Sequence, residues 1–327
     1  MGTTASKIVK WFLITAIICF FVFAILVYRL AFMLSIEHEI TVIIPNRTSV
    51  PKIADLLNKN GASINRYVFY GLYHLIYYIH HKPIQAGEYK LVPSVNMLAI
   101  LYQMIRGEVV QHKITIPEGY TLNQLIELLR TTNSILPATV SYNTKLREGY
   151  FLPDTYKYTY GMTDFDILHR MQQAMNDLLL AEWPKRDARV DDMIAGIGEA
   201  LILASIVERE SVFDDEKPSI ASVYLNRLKG GMRLQADPTV IYGMTMGREA
   251  FNRRVTYRDL KHDSLYNTYL HSGLPPTPIC NPGKGSILAV LHPKWHNNLF
   301  FVANGSGRHT FSETFSKHKL NIRDIRR

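Results

Sequence analysis

The most strongly patterned part of the chain is an uncharged, mostly apolar run over residues 11–28. A run of this length can cross a bilayer as an α-helix. Two lysines precede the run and one arginine follows it, and this bias favours a cytoplasmic N-terminus. We therefore predict a cytoplasmic segment over residues 1–10, a transmembrane anchor over 11–34, and the remainder of the chain outside the cytoplasm.

Three other interpretations of this run are weaker. A buried helix of a soluble protein seldom stays apolar on every side over such a length. A cleaved signal peptide ends at a pair of small residues, whereas here the apolar run continues from Ala31 to Leu34. A lipoprotein has a small residue before its modified cysteine, but Ile18 precedes Cys19. We expect an uncleaved anchor.

Two stretches after the anchor share one pattern at an offset of 72 residues. In each, a short β run ends at Pro45 or Pro117, and Ser49 or Thr121 follows at a helix N-cap position before apolar residues recur at helical spacing. Each stretch is predicted to form strand, turn and helix. Over residues 38–145 they resemble a small LysM-like module, a fold used for glycan binding, although duplication of a plain scaffold gives the same pattern.

Residues 65–81 form a tyrosine-rich segment with the spacing of an amphipathic helix, and Gly71 is its weak point. Tyrosine rings could offer stacking faces for sugars. A row at helical spacing is more often used for packing, so we predict a role in a core or an interface. The tyrosines concerned are Tyr67, Tyr70, Tyr73, Tyr77 and Tyr78.

A second domain is expected over residues 146–327, where the pattern changes. Residues 191–211 are predicted to form one helix with a middle that is apolar on all sides and therefore buried. A second helix is predicted over 218–228, with proline in its first turn and two glycines after its end. The fold expected for the outer part is α+β, a small β-α module followed by a larger mixed α/β domain.

Charge and composition narrow the possible partners. The chain has 37 basic and 28 acidic residues, a net charge of +9, which favours anionic partners such as lipid head groups or acidic cell-wall polymers. The basic residues are scattered, so nucleic acid is not an expected partner. The two cysteines, Cys19 and Cys280, exclude a disulfide framework and have no paired zinc-ligand spacing. We predict no metal and no cofactor.

Two glutamates at the end of the buried helix are candidates for a general acid. Glu208 shares a stripe with Leu201, Ala204 and Ser205, so its carboxyl group is expected to be partly desolvated. Desolvation raises the pKa of a carboxyl group, as general acid catalysis near neutral pH requires. An ion pair with a nearby arginine is the ordinary alternative. Glu210 shares a different apolar stripe, so spacing alone does not choose between the two.

Seven sequence blocks carry a family resemblance. They are LASIVERE at 203–210, ASVYLNRL at 221–228, MRLQADPTVIYG at 232–243, EGYFLPDTY at 148–156, YNTY at 266–269, GLPPTPI at 273–279 and FVANGSGRHTF at 301–311. With these blocks the chain resembles the endolytic murein transglycosylases of the MltG (YceG-like) type, over essentially its whole length. The resemblance implies a single-pass protein of the cell inner membrane that cuts nascent peptidoglycan strands in the periplasm.

The resemblance also implies a mechanism that uses one acid. The first glutamate of the V-E-x-E element, Glu208, would be catalytic. It would protonate the oxygen between N-acetylmuramic acid and N-acetylglucosamine, and its carboxylate would then deprotonate the C6 hydroxyl, leaving a 1,6-anhydro end. The implied partners are glycan strands and peptidoglycan synthases of the penicillin-binding protein class.

Other residues are expected near the acid. Gln235 and the Tyr266-Asn267 pair resemble the amide and tyrosine groups of lytic transglycosylase clefts, and Tyr242 is expected to bind substrate with them. Asparagine and glutamine offer both a donor and an acceptor. The residues expected to support the acid are Glu210, Ser205 and Asp237, and Asp237 has a cap of the following turn or helix as its simpler role.

Two other functions stay open at this point. The chain could be a non-catalytic, membrane-anchored scaffold that holds peptidoglycan for a cell-wall synthase. A peptidase is disfavoured because no G-x-S-x-G or H-E-x-x-H element is present.

Overall fold

The chain folds into two compact units in a computed structural model that describes residues 2–32, 35–137 and 146–325, with the backbone alone for residues 2–9. The first unit comprises Met1–His112 and Thr159–Gly161, and the second comprises Lys113–Tyr158 and Met162–Arg327. The second unit begins at Lys113, earlier in the chain than the predicted domain boundary between residues 145 and 146. The reason is that the second strand-turn-helix stretch packs with later elements of the second unit rather than with the first stretch.

The first unit combines the apolar N-terminal helix with a small α/β layer. Within α1, residues 10–32 are long and apolar enough to cross a membrane, which is compatible with a single-pass anchor. Strands β1 and β2 pair antiparallel. The elements are α1 (Gly2–Phe32), β1 (Ile40–Ile44), α2 (Val50–Lys59), α3 (Arg66–His80), β2 (Gly87–Leu91) and α4 (Met97–Arg106).

The core of this unit follows from alternation in β1 and helical spacing in α3. Val42 and Ile44 point inward from β1, while Ile43 between them is exposed. Phe69 and Ile76 point inward from α3 and pack in the same core. The predicted strand, turn and helix of this stretch are confirmed, and so is the helix expected over residues 65–81. The order β1-α2-α3-β2 leaves the LysM-like comparison a prediction.

The described residues of the second unit are mostly helical, with two small sheets. Strand β3 pairs with β4, and β5 pairs with β6. One core lies among β3, α5, β4 and the start of α6, and another surrounds α7. The elements are β3 (His112–Thr115), α5 (Leu122–Thr131), β4 (Thr155–Tyr158), α6 (Asp164–Glu182), α7 (Ile197–Glu210), α8 (Lys217–Lys229), α9 (Asp237–Thr245), α10 (Lys284–Leu291), β5 (Phe300–Ala303), β6 (His309–Ser312) and α11 (Phe315–Ile325).

Helix α7 is the centre of this unit and packs against α8, α9 and α10. It begins at Ile197 rather than at residue 191 as predicted. Gly196 is fully extended, with φ −177° and ψ 176°, and separates α7 from a short 3₁₀ helix over Ala188–Asp192. The prediction of a buried middle is confirmed. Helix α8 also agrees with its prediction, with Pro218 in the first turn. Mixed helices and separate small sheets are consistent with the α+β class.

Candidate active site

The last turn of α7 presents Glu208 and Glu210 to two different environments. Residues two apart on an α-helix project about 200° from one another, so the two carboxyl groups point to opposite sides of α7. From Ala200 to Val207, every residue of α7 except Ile202 is buried. Both glutamates lie in the last turn of α7, after its buried middle.

The Glu208 carboxylate is held by protein donors on both oxygens. Its Oε1 lies 3.3 Å from the Lys217 ammonium, and its Oε2 accepts from the Ser286 hydroxyl at 2.7 Å and the Gly283 amide at 2.9 Å. The side chain is only 6% exposed. These contacts join the end of α7 to the starts of α8 and α10. The ordinary alternative to catalysis, an ion pair, is thus made with a lysine rather than an arginine.

Lys217 is the centre of an acidic cluster within the second unit. Its side chain is 2% exposed, and its ammonium lies 2.8 Å from Asp214, 3.3 Å from Glu208 and 3.5 Å from Glu118. Burial and the nearby charge of Glu208 raise the pKa of Glu118. A Cβ at Gly283 would overlap the Glu118 carboxyl group, so only glycine allows this close approach. The cluster fixes the loop after β3 against α8 and the start of α10.

Glu210 lies on the border of a cleft of about 270 Å³. Its Oε1 accepts a 2.6 Å hydrogen bond from the Tyr224 hydroxyl. Aromatic rings, one guanidinium and two acidic side chains surround the space. The lining residues are Glu210, Tyr224, Arg227, Leu234, Gln235, Asp237, Tyr269, Phe300, Phe301, Phe315 and His318. Glu208 is not among the described residues that line this cleft.

The cleft shifts the titration of Glu210. Burial raises the pKa of its carboxyl group to about 7, and the charge of Asp237 contributes in the same direction. The hydrogen bond from Tyr224 and the charge of Arg227 oppose the shift. Burial raises the pKa of Tyr224 well above its usual value, so this hydroxyl stays a donor. Glu210 can therefore exist in both protonation states near neutral pH.

Two of the predicted site residues line the cleft beside Glu210. Gln235 has a left-handed backbone with φ 50°, and its backbone amide donates to the Thr268 carbonyl at 3.2 Å. Its side chain is exposed towards the cleft. Asp237 is the first residue of α9 and accepts a 2.7 Å hydrogen bond from the Tyr269 hydroxyl. The structure thus brings Gln235, Asp237 and Glu210 together.

The predicted residue Ser205 lies in the core rather than in a cleft. Its hydroxyl donates to the Ile202 carbonyl at 2.7 Å and accepts from the Ile279 amide at 3.0 Å. The Cys280 thiol donates to its carbonyl. Ser205 therefore ties α7 to the proline-rich loop over residues 275–282, where its supporting role is structural.

Tyr242, Tyr266 and Asn267 form a separate group. The Tyr242 hydroxyl donates to Glu148 at 3.2 Å, and its ring lies 4.9 Å from that of Tyr266. Asn267 is fully buried, and its amide donates to two backbone carbonyls of the loop that precedes it, those of Leu260 and His262. None of the three is among the described residues that line the Glu210 cleft. Their predicted contact with substrate stays a prediction.

Glu148 is a second carboxyl group with a shifted titration. Burial raises its pKa to about 7, although the Leu122 amide and the Tyr242 hydroxyl donate to it. It borders a larger groove of about 870 Å³ beside the proline-rich loop. Its donors connect the start of α5 with α9, so its contacts within the described chain are those of a positioning residue.

Sequence reasoning missed most of the residues that surround Glu210. Tyr224 and Arg227 come from the ASVYLNRL block, where their spacing of three places them on one face of α8. That spacing was a usable signal. Phe300, Tyr269 and His318 join the cleft from segments distant in sequence, and no local pattern connects them to Glu210.

Among the residues that the structure describes, no group of three or more His, Cys, Asp or Glu side chains could hold a metal ion.

Comparisons with known proteins agree with one another. The YceG-like family matches residues 42–324. A protein of Bacillus subtilis (strain 168) named endolytic murein transglycosylase is 31% identical over 86% of this chain and 83% of its own length. A protein of the same name from Streptococcus pneumoniae serotype 2 is 26% identical over 88% of this chain, and the match covers 58% of that longer protein. A crystal structure of a putative yceG-like protein from Listeria monocytogenes has a TM-score of 0.51 and 30% identity over 87% of this chain and 99% of that one.

Proposed function

Because the chain belongs to the YceG-like family, we propose that it is an endolytic murein transglycosylase, an enzyme that cuts the glycan strands of peptidoglycan. The observation that carries the proposal is the cleft of Glu210. It combines a carboxyl group that titrates near pH 7 with aromatic faces and an amide side chain, the groups that a sugar substrate needs for protonation, stacking and hydrogen bonding.

We assign the acid to Glu210 in this proposal, whereas the resemblance implied Glu208. The contacts of Glu208 are all with protein donors, and one of them is the buried Lys217 ammonium. Among the described residues, Glu210 has one side-chain donor, Tyr224, and it borders a cleft. These differences support Glu210 as the residue that meets substrate, with Glu208 as the residue that holds the end of α7.

The reaction needs two proton transfers at one carboxyl group. Protonated Glu210 gives its proton to the glycosidic oxygen as the bond between that oxygen and C1 of N-acetylmuramic acid breaks. N-acetylglucosamine leaves with a free 4-hydroxyl. The Glu210 carboxylate then takes the proton of the C6 hydroxyl, whose oxygen bonds to C1 and closes the 1,6-anhydro ring. No water is consumed, so a second carboxylate to activate water or act as nucleophile is not required.

The surrounding residues fit this sequence of steps. The Tyr224 hydroxyl stabilises the carboxylate that forms after the first transfer, and Asp237 favours the protonated acid before it. Phe300 and Tyr269 offer faces on which a pyranose ring can pack. The Gln235 amide can donate to or accept from an acetamido group. Tyr242, Tyr266 and Asn267 lie outside this cleft, and their contact with a longer glycan strand remains part of the proposal.

Helix α1 supports a proposal for the location of the enzyme. We propose that α1 anchors the chain in the inner membrane with its N-terminus in the cytoplasm, and that the second unit acts in the periplasm. The first unit is proposed to be the LysM-like part, and a peptidoglycan synthase of the penicillin-binding class is the proposed partner that supplies fresh strands. The match to murein transglycosylases in the comparisons supports peptidoglycan as the shared substrate.

The test compares Glu210→Gln with Glu208→Gln. Both variants keep side-chain shape and replace the carboxyl group by an amide, which cannot act as a general acid. Purified full-length protein is incubated with murein, and the released fragments are analysed by mass spectrometry for 1,6-anhydro ends. We expect Glu210→Gln to lose anhydro products by a factor of about 10³ or more, because the general acid is absent. Circular dichroism spectra equal to the wild type show that folding is intact.

Two other outcomes would change the identity of the acid or the proposed function. If Glu210→Gln stays active and a folded Glu208→Gln variant is inactive, Glu208 is the acid. If wild-type protein releases no anhydro fragments while it still sediments with murein, the alternative function of a peptidoglycan-binding scaffold replaces catalysis.

A further inference from the structure

Helix α3 of the first unit exposes much of its aromatic and apolar surface. Phe69 and Ile76 anchor it in the core of that unit. On the other side, Tyr67 is 84% exposed and Tyr78 is 79% exposed, and both lie on one outer stripe of the helix. The aliphatic side chains of Leu75 and Ile79 are also exposed. Packing in the core of the first unit therefore does not account for the aromatic and apolar side chains on the outer surface of α3.

The charges of α3 suit a phospholipid surface. The helix contains no acidic residue, and its polar side chains other than tyrosine are Arg66 and histidines. His81 and Lys82 follow its end. Arg66 forms an ion pair with Asp55 at 3.5 Å. The rest of the helix carries no negative charge, because its histidines are either neutral or positive. Such a face is not repelled by anionic head groups.

The position of α3 in the first unit is close to the exit of the apolar helix. Helix α1 packs against α3 and α4, and Ala31 near its end is buried. Ser35 is already part of the folded unit, since its amide donates to the Val95 carbonyl at 2.8 Å and its carbonyl accepts from Ser63. Phe32 and Ser35 are three positions apart in the chain, a span of about 11 Å at most. With α1 in a bilayer, the first unit cannot leave the head-group region.

We propose that α3 lies in the head-group layer of the membrane that α1 crosses, with Tyr67 and Tyr78 at the boundary between lipid and water. Tyrosine is enriched at this boundary because its ring is apolar and its hydroxyl is polar. Glycan is the competing occupant, since tyrosine rings also stack on sugars. Exposed Leu75 and Ile79 favour lipid, because aliphatic side chains gain more from acyl chains than from hydroxylated sugars. The proposal rests on α1 as a membrane anchor and not on enzymatic activity.

The test measures the depth of single labels in the full-length protein. The protein is placed in nanodiscs of phosphatidylethanolamine and phosphatidylglycerol, and an environment-sensitive fluorophore is attached to one thiol at a time. Native Cys19, exposed in the middle of α1, marks the acyl region, and fully buried Cys280 does not react in the folded protein. Tyr78→Cys and Tyr67→Cys report on α3 in a Cys19→Ser background. Ile43→Cys is the matched control, because Ile43 is exposed on the face of β1 opposite the core that holds α3.

We expect the labels on α3 to show blue-shifted emission and strong quenching by lipids that carry a quencher near the head group. The label at position 43 should show neither effect, and the label on Cys19 should respond to a quencher in mid-chain. Equal responses at positions 78 and 43, with Cys19 quenched, overturn the proposal. An unquenched Cys19 removes its premise. If isolated glycan strands cause the blue shift at position 78 and lipid quenchers have no effect, α3 is a sugar surface instead.

Discussion

Two glutamates separated by one residue have opposite environments in this protein. The sequence indicated that the end of α7 holds an acid, because the apolar helix predicts partial burial for both side chains. Helical spacing could not choose between Glu208 and Glu210, and the family resemblance implied Glu208. The environments that distinguish the two depend on Lys217 and Ser286 on one side and on Tyr224 and Phe300 on the other. These partners come from three elements, α8, α10 and β5, whose approach only the folded chain defines.

The pH dependence of the reaction is predicted to follow Glu210. Its pKa near 7 makes the acid available below that pH, so kcat/KM should fall as pH rises above about 7. The Tyr224 hydrogen bond lowers this pKa, so Tyr224→Phe should move the alkaline limb to higher pH. The Asp237 charge raises it, so Asp237→Asn should move the limb to lower pH. The measurement is anhydro-product release against pH for the three proteins.

Opposite displacements are the diagnostic result, because loss of structure alone would lower activity without moving the limb in two directions. Asparagine keeps an acceptor for the Tyr269 hydroxyl, and phenylalanine keeps the Tyr224 ring against Phe301. A wild-type profile that stays flat through pH 7 would contradict Glu210 as the acid.

At the scale of elements, local signals predicted the helices that have clear ends. Asn65 caps α3 and accepts from the amides of Tyr67 and Val68, as a helix beginning near residue 65 requires. The start of α7 was misplaced because apolar spacing continues through residues 191–196, while Gly196 adopts an extended backbone that the pattern does not show.

The attachment of the proline-rich loop to α7 gives a prediction at this scale. Ser205→Ala should lower the free energy of unfolding by about 1–3 kcal/mol, because the buried Ile279 amide loses its acceptor. The measurement is urea unfolding of the full chain in detergent. Ser306→Ala is the matched control, since Ser306 lies in an exposed turn, and its effect should stay within about 0.5 kcal/mol. Equal midpoints for both variants would show that the Ser205 bond is not needed to hold the loop.

For the whole molecule, the sequence predicted an anchored chain with two outer parts. The observed helices and strands confirm both predicted strand-turn-helix stretches, β1 with α2 and β3 with α5. The second of these stretches belongs to the second unit. The offset repeat indicated similar local folding, and it carried no information about which neighbour each copy would pack against. For β3 and α5 those neighbours are β4 and α6.

The orientation of the chain can be tested with a reporter at its end. Alkaline phosphatase, active outside the cytoplasm, and a fluorescent protein that needs the cytoplasm are each fused after Arg327. The excess of positive charge before α1 predicts activity of the phosphatase fusion alone. A fluorescent fusion with an inactive phosphatase would reverse the topology and place the second unit away from murein.

The short stretch between Phe32 and Ser35 also affects how the protein finds its substrate. With α1 in a bilayer, the chain diffuses in a plane, and its encounters depend on the surface density of anchors rather than on a volume concentration. In the proposed location outside the cytoplasm, strands that emerge at the membrane would be met first, and mature layers of the sacculus farther out would be met rarely. Lengthening this tether should broaden the range of glycan that the enzyme samples without any change in its chemistry.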